Sequence, residues 1–528
     1  MILNVLSKSL KKLYLHLNLR TSQYKFFFKS VGIIFILTLS YLLLNWYAHH
    51  KAIKLLRAAI PSHIVYDIED VNLSVLGRSA TFNAVSFSIQ DTLSNQKLAE
   101  FNVKQFQFKH FSVLDYMVHK RIHLNKIAIT DVSGYWLSEK KQDLDSSKQS
   151  IKIPLDHISL GTLELKNINV EIKKAETDSL VMKVTNLNLN VDALKLINEP
   201  DNKEIFYDHY NLESEAITLE LGSLNRLNIS AIIGDEQELT FQNVALKTKY
   251  SPKELRSHIT GEKDYFDVTI DSIVATELPK SFHEDQPLKL ASLSLKHPKI
   301  FIYRDKLVSD DLSIKPMLSE QIRRIPMTFN IGQFEIAKAH LTYKERTQVE
   351  NDGGSIIVND LSVAVENFSN QSNYQPLNLD VTANFKGNSD VKAHWQFDVL
   401  DESDRFTFST DAKQVDLVFF NTFSKPNFNT EMEGQLEQLY YTISGDKYSS
   451  TIEVKSKYSD VRVAVLRKNK RGRNKFYSSM ANMLVSTNSK RKKSDFQEAN
   501  VEVTRDQTKS VFNFIFKNVE KGMMKVFL

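Results

Sequence analysis

Residues 157–174, HISLGTLELKNINVEIKK, place apolar side chains at Ile158, Leu160, Leu163, Leu165, Ile168, Val170 and Ile172. Such alternation marks a strand with one apolar face. Its phase slips by one residue twice, at Gly161-Thr162 and again at Lys166-Asn167. The same offsets recur from Ile122 (Leu124, Ile127, Ile129, Val132, Gly134, Trp136) and from Leu288 (Leu290, Leu293, Leu295, Pro298, Ile300, Ile302). A fourth copy starts at Phe329 and runs through Ile331, Phe334, Ile336, Ala339, Leu341 and Tyr343. Of the 28 positions 26 are apolar, where composition alone gives about 12. The copies start 36, 130 and 41 residues apart, a degenerate array with insertions; shared β patterning without common descent is the alternative.

In a flat strand a phase slip would throw every later apolar side chain onto the other face. A β-bulge adds one residue and returns the following side chains to the original face. Three-residue strands joined by tight turns also produce the slips, but strands that short are marginal. Two bulges per strand predict bent strands that assemble into a trough. Its apolar wall would carry Ile127, Ile129, Leu163, Leu165, Ile168, Val170, Ile172, Leu293, Leu295, Phe334, Ile336 and Leu341, with Glu164 and Asn169 facing water. Alternation continues in VNLSVLGRSATFNAVSFSI, FNVKQFQF, YFDVTIDSI, LNLDVTANF and RFTFST, and helical periodicity is nearly absent from 65 to 465. Residues 138–150 and 280–289 read as polar loops. The expectation is a mainly β chain: an elongated, curved antiparallel groove of about 25–30 strands, roughly 120–145 Å long.

A chain of 528 residues exceeds one ordinary core. It has no cysteine, which excludes disulfides and thiolate chemistry, and its formal charge of +5 is small for its length. Ser30 to Tyr47 holds 18 residues without a charge, roughly 27 Å of helix and enough for a bilayer core. Ile33, Ile34, Phe35, Leu42, Leu43 and Leu44 form the anchor, with Trp46 at its interfacial end. Lys8, Lys11, Lys12, Arg20, Lys25 and Lys29 precede it, against Lys51, Lys54 and Arg57 after it. That bias puts residues 1–29 in the cytoplasm and the bulk outside the inner membrane. No small-x-small cleavage site follows, so the segment reads as an uncleaved anchor continuing to Ile60, where Pro61 stops the helix. Residues 61–466 are then the β body and 467–528 a basic loop followed by a strand and short amphipathic helices. A buried core helix is the alternative for the anchor.

No nucleotide, nucleophile-elbow or HExxH motif occurs, so no catalytic residue, metal or cofactor is expected. His283, Glu284 and Asp285 form the one compact His-carboxylate cluster, in a stretch that reads as a solvated turn; His157 and His340 sit among strand positions. Arg471 and Arg473 in RKNKRGRNK, and Lys490, Arg491, Lys492 and Lys493, flank FYSSMANMLVS, which is apolar at helical spacing. That arrangement suits anionic lipid heads, a solvated loop being the alternative, and nothing supports nucleic acid. Val511, Phe514, Ile515, Val519, Met523, Val526 and Phe527 share a helical face that would cap the sheet or lie on a membrane.

The anchor, the β body, the IxLGxLELxxxxVxI…VxNLxLxV pattern and the closing GQLEQLYYTISGDKYSSTIEVKSKYSDVRVAVL…VEVTRDQTKSVFNFIFKNVEKGM resemble the bacterial AsmA-like family. The resemblance covers nearly the whole chain on degenerate patterns, and the 130-residue gap departs from a tidy repeat. It implies a taco-shaped repeating β-groove, related to bridge-like lipid transfer proteins. It also implies phospholipid transport between inner and outer membranes, with an outer membrane or outer-membrane protein as partner at the C-terminus. A non-transporting envelope scaffold with a filled β core stays open as the alternative, as does a β-helical hydrolase lacking a visible site.

Overall fold

The computed structural model describes residues 37–40 and 63–527, apart from 75–76, 92–95, 111–121, 139–156, 200–201, 284–285, 372–375, 386–388, 467–488 and 490–494. Among the described residues twenty-three strands form one sheet, against the 25–30 expected for the chain. It begins with an antiparallel meander of β1 (Ile64–Ser74), β2 (Ser79–Gln90), β3 (Lys97–Lys109) and β4 (Ile122–Ser138). β5 (His157–Lys174) then joins β4 in parallel, and β6 (Leu180–Glu199) turns back along it. Three short strands, β7 (Asn202–Phe206), β8 (His209–Ser214) and β9 (Ala216–Leu221), lie end to end along β6. β10 (Asn225–Asp235), β11 (Glu238–Thr248) and β12 (Tyr265–Thr276) continue antiparallel.

The second half repeats this design. β14 (Leu288–Lys296) and β15 (Lys299–Asp305), one line interrupted at His297 and Pro298, pair with β12 and then in parallel with β16 (Phe329–Arg346). β17 (Gly354–Ser369), β18 (Leu377–Asn384), β19 (Asp390–Phe397), β20 (Phe406–Asp416), β21 (Thr430–Gly445), β22 (Ser449–Val465) and β23 (Gln497–Thr504) complete an antiparallel series. Between 280 and 289 the chain is not the polar loop expected: β13 (Ser281–His283) pairs with β7, and β14 begins at Leu288. Counting collinear pieces once and leaving β13 aside, the sheet is 19 positions wide, roughly 85 Å along its hydrogen bonds. That replaces the 120–145 Å expectation.

The sheet is mixed, not wholly antiparallel, and its two parallel joins fall between the sequence repeats. Ile122 pairs with Ile158 and Trp136 with Ile172, all at the 36-residue offset. Leu288 pairs with Phe329 and Ile302 with Tyr343, at the 41-residue offset. The repeat spacing is therefore the strand register itself. A parallel join requires the chain to return to the starting edge. In the second case residues 306–328 make that return, carrying the short helix α2 (Leu318–Arg323), which follows α1 (Pro252–Leu255).

Both phase slips are backbone features. At the first, Gly161 and Gly332 occupy equivalent places; a Cβ there would lie 2.5 and 2.7 Å from the carbonyl oxygens of Asn125 and Ala291 on the parallel neighbour. At the second, one residue is added on each strand in turn. From Leu165↔Leu189 to Ile168↔Leu187, β5 gains Asn167; from there to Val170↔Val184, β6 gains Asn186. Lys338 and Asp360 do the same on β16 and β17. All four have φ between 48° and 53°, as do the equivalent Asp131 of β4 and His297 between β14 and β15. Asn and Asp tolerate this left-handed conformation best among residues with a side chain, which explains their frequency here.

The breaks line up. Across β1 to β6 the ladder is interrupted at Glu69, Ala84, Lys104, Asp131, Asn167 and Asn186, each beside the last. The line resumes through Asn243, Asp271, His297, Lys338 and Asp360. A bulge bends its own strand, so a row of them creases the sheet along one line.

The core is unevenly distributed. One cluster runs from Met317 through Trp395, Ile443 and Tyr458 to Val526, joining β16–β23 to α2 and to the terminal helix α4 (Val511–Phe527), which follows α3 (Asn421–Phe428). The seven apolar residues expected on one face of that helix all belong to this cluster, so the helix packs on the sheet. Gly522 permits the close approach, because a Cβ there would fall 2.5 Å from Val454 Cγ2. The N-terminal cluster has only five buried members, Leu124, Leu160, Val191, Leu194 and Tyr207. Residues 37–40 are helical, and no helix among the described residues is long and apolar enough to cross a membrane. The anchor residues Ile33, Ile34, Phe35, Leu42, Leu43, Leu44 and Trp46 lie outside the described residues, as do Arg471, Arg473, Lys490, Arg491, Lys492 and Lys493.

Candidate functional site

Strand register sets apolar residues side by side across the whole sheet. One row starts at Val71, Phe82, Phe106, Ile129, Leu165 and Leu189. It continues through Leu212, Gly234, Leu239, Ala275, Leu293 and Phe334. Val365, Leu379, Trp395, Phe408, Ile443, Ile452 and Val501 finish it. All 19 sheet positions contribute, and none contributes a polar side chain.

Of the residues expected on an apolar wall, Ile129, Leu165, Leu293 and Phe334 lie in this row. Ile127 and Leu163 pair in the next row on one side, Leu295 and Ile336 on the other. Both slips keep the apolar set together. Leu160 and Leu163 join one cluster across Gly161, as do Phe329, Ile331 and Phe334 across Gly332. Beyond the second slip, Ile168, Val170 and Ile172 pair with Leu187, Val184 and Met182, and Leu341 with Val358.

The intervening residues make a polar face with its own bonding. Glu164 pairs with Lys126 and Lys166, and Glu171 with Lys183 at 3.0 Å. The hydrogen bonds from Lys126 and Lys183, each the largest influence, hold these two carboxyls below the usual range. Along the crease Asn167 Nδ2 donates to Asp131 Oδ1 at 2.7 Å, and Asn169 Nδ2 donates to Asn167 Oδ1 at 2.9 Å. Asn186 donates its amide to Asn169 and its side chain to Glu215, at 3.0 and 2.8 Å. The hydrogen bond from Asn167, reinforced by Lys104, lowers the Asp131 pKa. Asn188 and Asn169 accept the backbone amides of Asn167 and Asn186, at 2.9 and 3.0 Å, and so satisfy donors that the bulges release.

Exposure differs along the row. Ile443 and Ile452 are fully buried beneath α4, whereas Phe106, Ile129, Leu165, Leu189, Leu212 and Leu239 are only half-buried. Trp136, three rows away on β4, is 45% exposed. Among the described residues, α4 covers the apolar face at the C-terminal end, while most row members from β1 to β15 are half-buried, with Phe82, Gly234 and Ala275 buried.

Pattern reasoning missed the row members outside the four repeats. Phe82, Phe106 and Leu379 lay in alternating runs, but assigning them to one line needs the register. His283 pairs in register with Glu204, while Glu284 and Asp285 lie outside the described residues. His340 Nδ1 sits 2.8 Å from Asn359 Oδ1 beside the crease. No group of three or more potential metal ligands occurs among the described residues. No protein-family model and no curated protein matches the chain.

Proposed function

We propose that the creased sheet is an open β-groove that shields acyl chains from water, making the chain a lipid-transfer conduit of the AsmA-like kind. The observation that carries this reading is the 19-position apolar row, whose members from β1 to β15 are mostly half-buried. A contiguous apolar row that stays partly accessible is costly in water and suits a binding surface. Each acyl methylene it shelters is worth about 0.8 kcal/mol, so affinity needs no specific polar contact and the lipid can slide from rank to rank. Ile127, Ile129, Leu163, Leu165, Ile168, Val170, Ile172, Leu293, Leu295, Phe334, Ile336 and Leu341 are assigned to the lining. Residues 30–60 anchor the chain in the inner membrane, and the body extends into the periplasm toward the outer membrane. The basic residues flanking FYSSMANMLVS are assigned to anionic lipid heads.

A second reading, an envelope scaffold with a filled core, is favoured only for the C-terminal third, where α4 occupies the apolar face. Native mass spectrometry of the detergent-purified full chain separates the two. A conduit carries co-purified phospholipid as discrete mass additions; a bare protein mass would overturn the conduit reading.

A further inference from the structure

Where the strand ends β19–β20, β21–β22 and the residues after β23 meet α2, they enclose a cavity of about 420 Å³. It lies at one edge of the sheet, away from the apolar row. Lys315, Arg323, Arg324, Lys447 and Arg505 line it against three carboxylates, and with Lys315 held by Asp311 at 2.7 Å one positive charge remains in excess. Two of the carboxylates are already engaged: Asp404, itself buried, holds Arg323 at 3.0 Å, and Glu320 pairs with Arg324. Lys447 donates to the Glu402 carbonyl at 2.8 Å.

Arg505 is the anomaly. It is 6% exposed, it reaches only the carbonyls of Lys447 and Lys315, at 3.3 and 2.6 Å, and its buried Nε has no hydrogen-bond partner. Burial lowers its pKa despite Asp404, Glu320 and Asp506 nearby. A buried cation without a contacting anion is costly, and planar guanidinium donors match tetrahedral oxyanions.

We propose that this cavity binds a phosphate group, with Arg505 as its buried counter-charge and Arg324 and Lys447 closing on it from the accessible side. The phosphate comes from a lipid headgroup or from a free phosphate ion. The headgroup source rests on the lipid reading above; the site itself does not. Ile314, 73% exposed on the cavity wall, offers the apolar contact a headgroup's glycerol end would use.

Isothermal titration of the detergent-solubilised full chain tests this, with inorganic phosphate in one arm and dihexanoyl phosphatidylglycerol below its micelle concentration in the other. Saturable one-site binding is expected, weakened at least tenfold in the double variant Arg324→Ala/Lys447→Ala at unchanged circular dichroism. Arg505→Gln should abolish the rise in thermal midpoint that phosphate gives the parent chain. If that variant does not fold, the double variant decides. Lipid bound at least tenfold more tightly than phosphate supports the headgroup source; equal or weaker lipid binding supports free phosphate. No saturable heat in either arm, or heat unchanged in the double variant, overturns the site. A failed titration beside a lipid-loaded native mass spectrum would remove this site and leave the conduit standing.

Discussion

Ile443→Ala and Leu165→Ala delete the same three carbons from the same apolar row and should differ severalfold in cost. Ile443 is fully buried, flanked in register by Phe408 and by Ile452, itself fully buried. Losing three buried carbons costs about 2.4 kcal/mol at about 0.8 kcal/mol each, and the unfilled cavity raises this to about 3–4 kcal/mol. Leu165, between Ile129 and Leu189, is half-buried, so part of its surface is hydrated already and solvent can follow the truncation. About 1 kcal/mol is expected there. Equilibrium urea unfolding measures both. Trp395, buried in the C-terminal cluster, reports on the first variant by fluorescence, and Trp136 on β4 reports on the second. Equal losses would mean that the N-terminal face is packed as tightly as the C-terminal one, refuting the division into a filled end and an open face.

Gly522→Val should lift α4 from β22, lower the urea midpoint and raise binding of a hydrophobic dye, because no Cβ fits beside Val454; unchanged dye binding would contradict the packing. Glu164 and Glu171 titrate below their ordinary value of 4.5, so their stabilisation is present above that pH and lost as pH falls through their lowered pKa values. Burial pushes the Tyr210 phenol up to about 12, so its stabilisation is present below 10 and lost as pH rises to about 12. Urea midpoints should therefore fall on both flanks, between about pH 5 and 3 and between about pH 10 and 12. Alkaline phosphatase fused after residue 528 should be active in a Gram-negative host; an inactive fusion at normal expression would contradict the orientation.

Much of the β body was legible because alternation and its slips are local. Gly161, Asn167 and Lys338 stand where the apolar period breaks, and each proved to be a close approach or a left-handed bulge residue. The helical face from Val511 to Phe527 announced itself in the same way. Strand direction was not legible, since side-chain period is identical in parallel and antiparallel strands. The 36- and 41-residue repeat spacings held that information all the same, because copies paired in parallel share one register. The strand total was overcounted: β4, β5 and β16 run 17 to 18 residues each, so the described body holds fewer and longer strands than expected. Arg505 carried no local sign, because its setting depends on carbonyls at Lys315 and Lys447, 190 and 58 residues away in sequence.

The central claim is that bulges keep Leu165 and Ile168 together on a lipid-bearing face. A photo-crosslinking amino acid placed singly at 165, 168, 334 or 336 in the membrane-anchored chain should capture phospholipid on irradiation. The same probe at 164, 169 or 335, on the polar face, should not. Capture confined to the first set is the predicted result; equal capture from both sets, or from neither, would contradict the account.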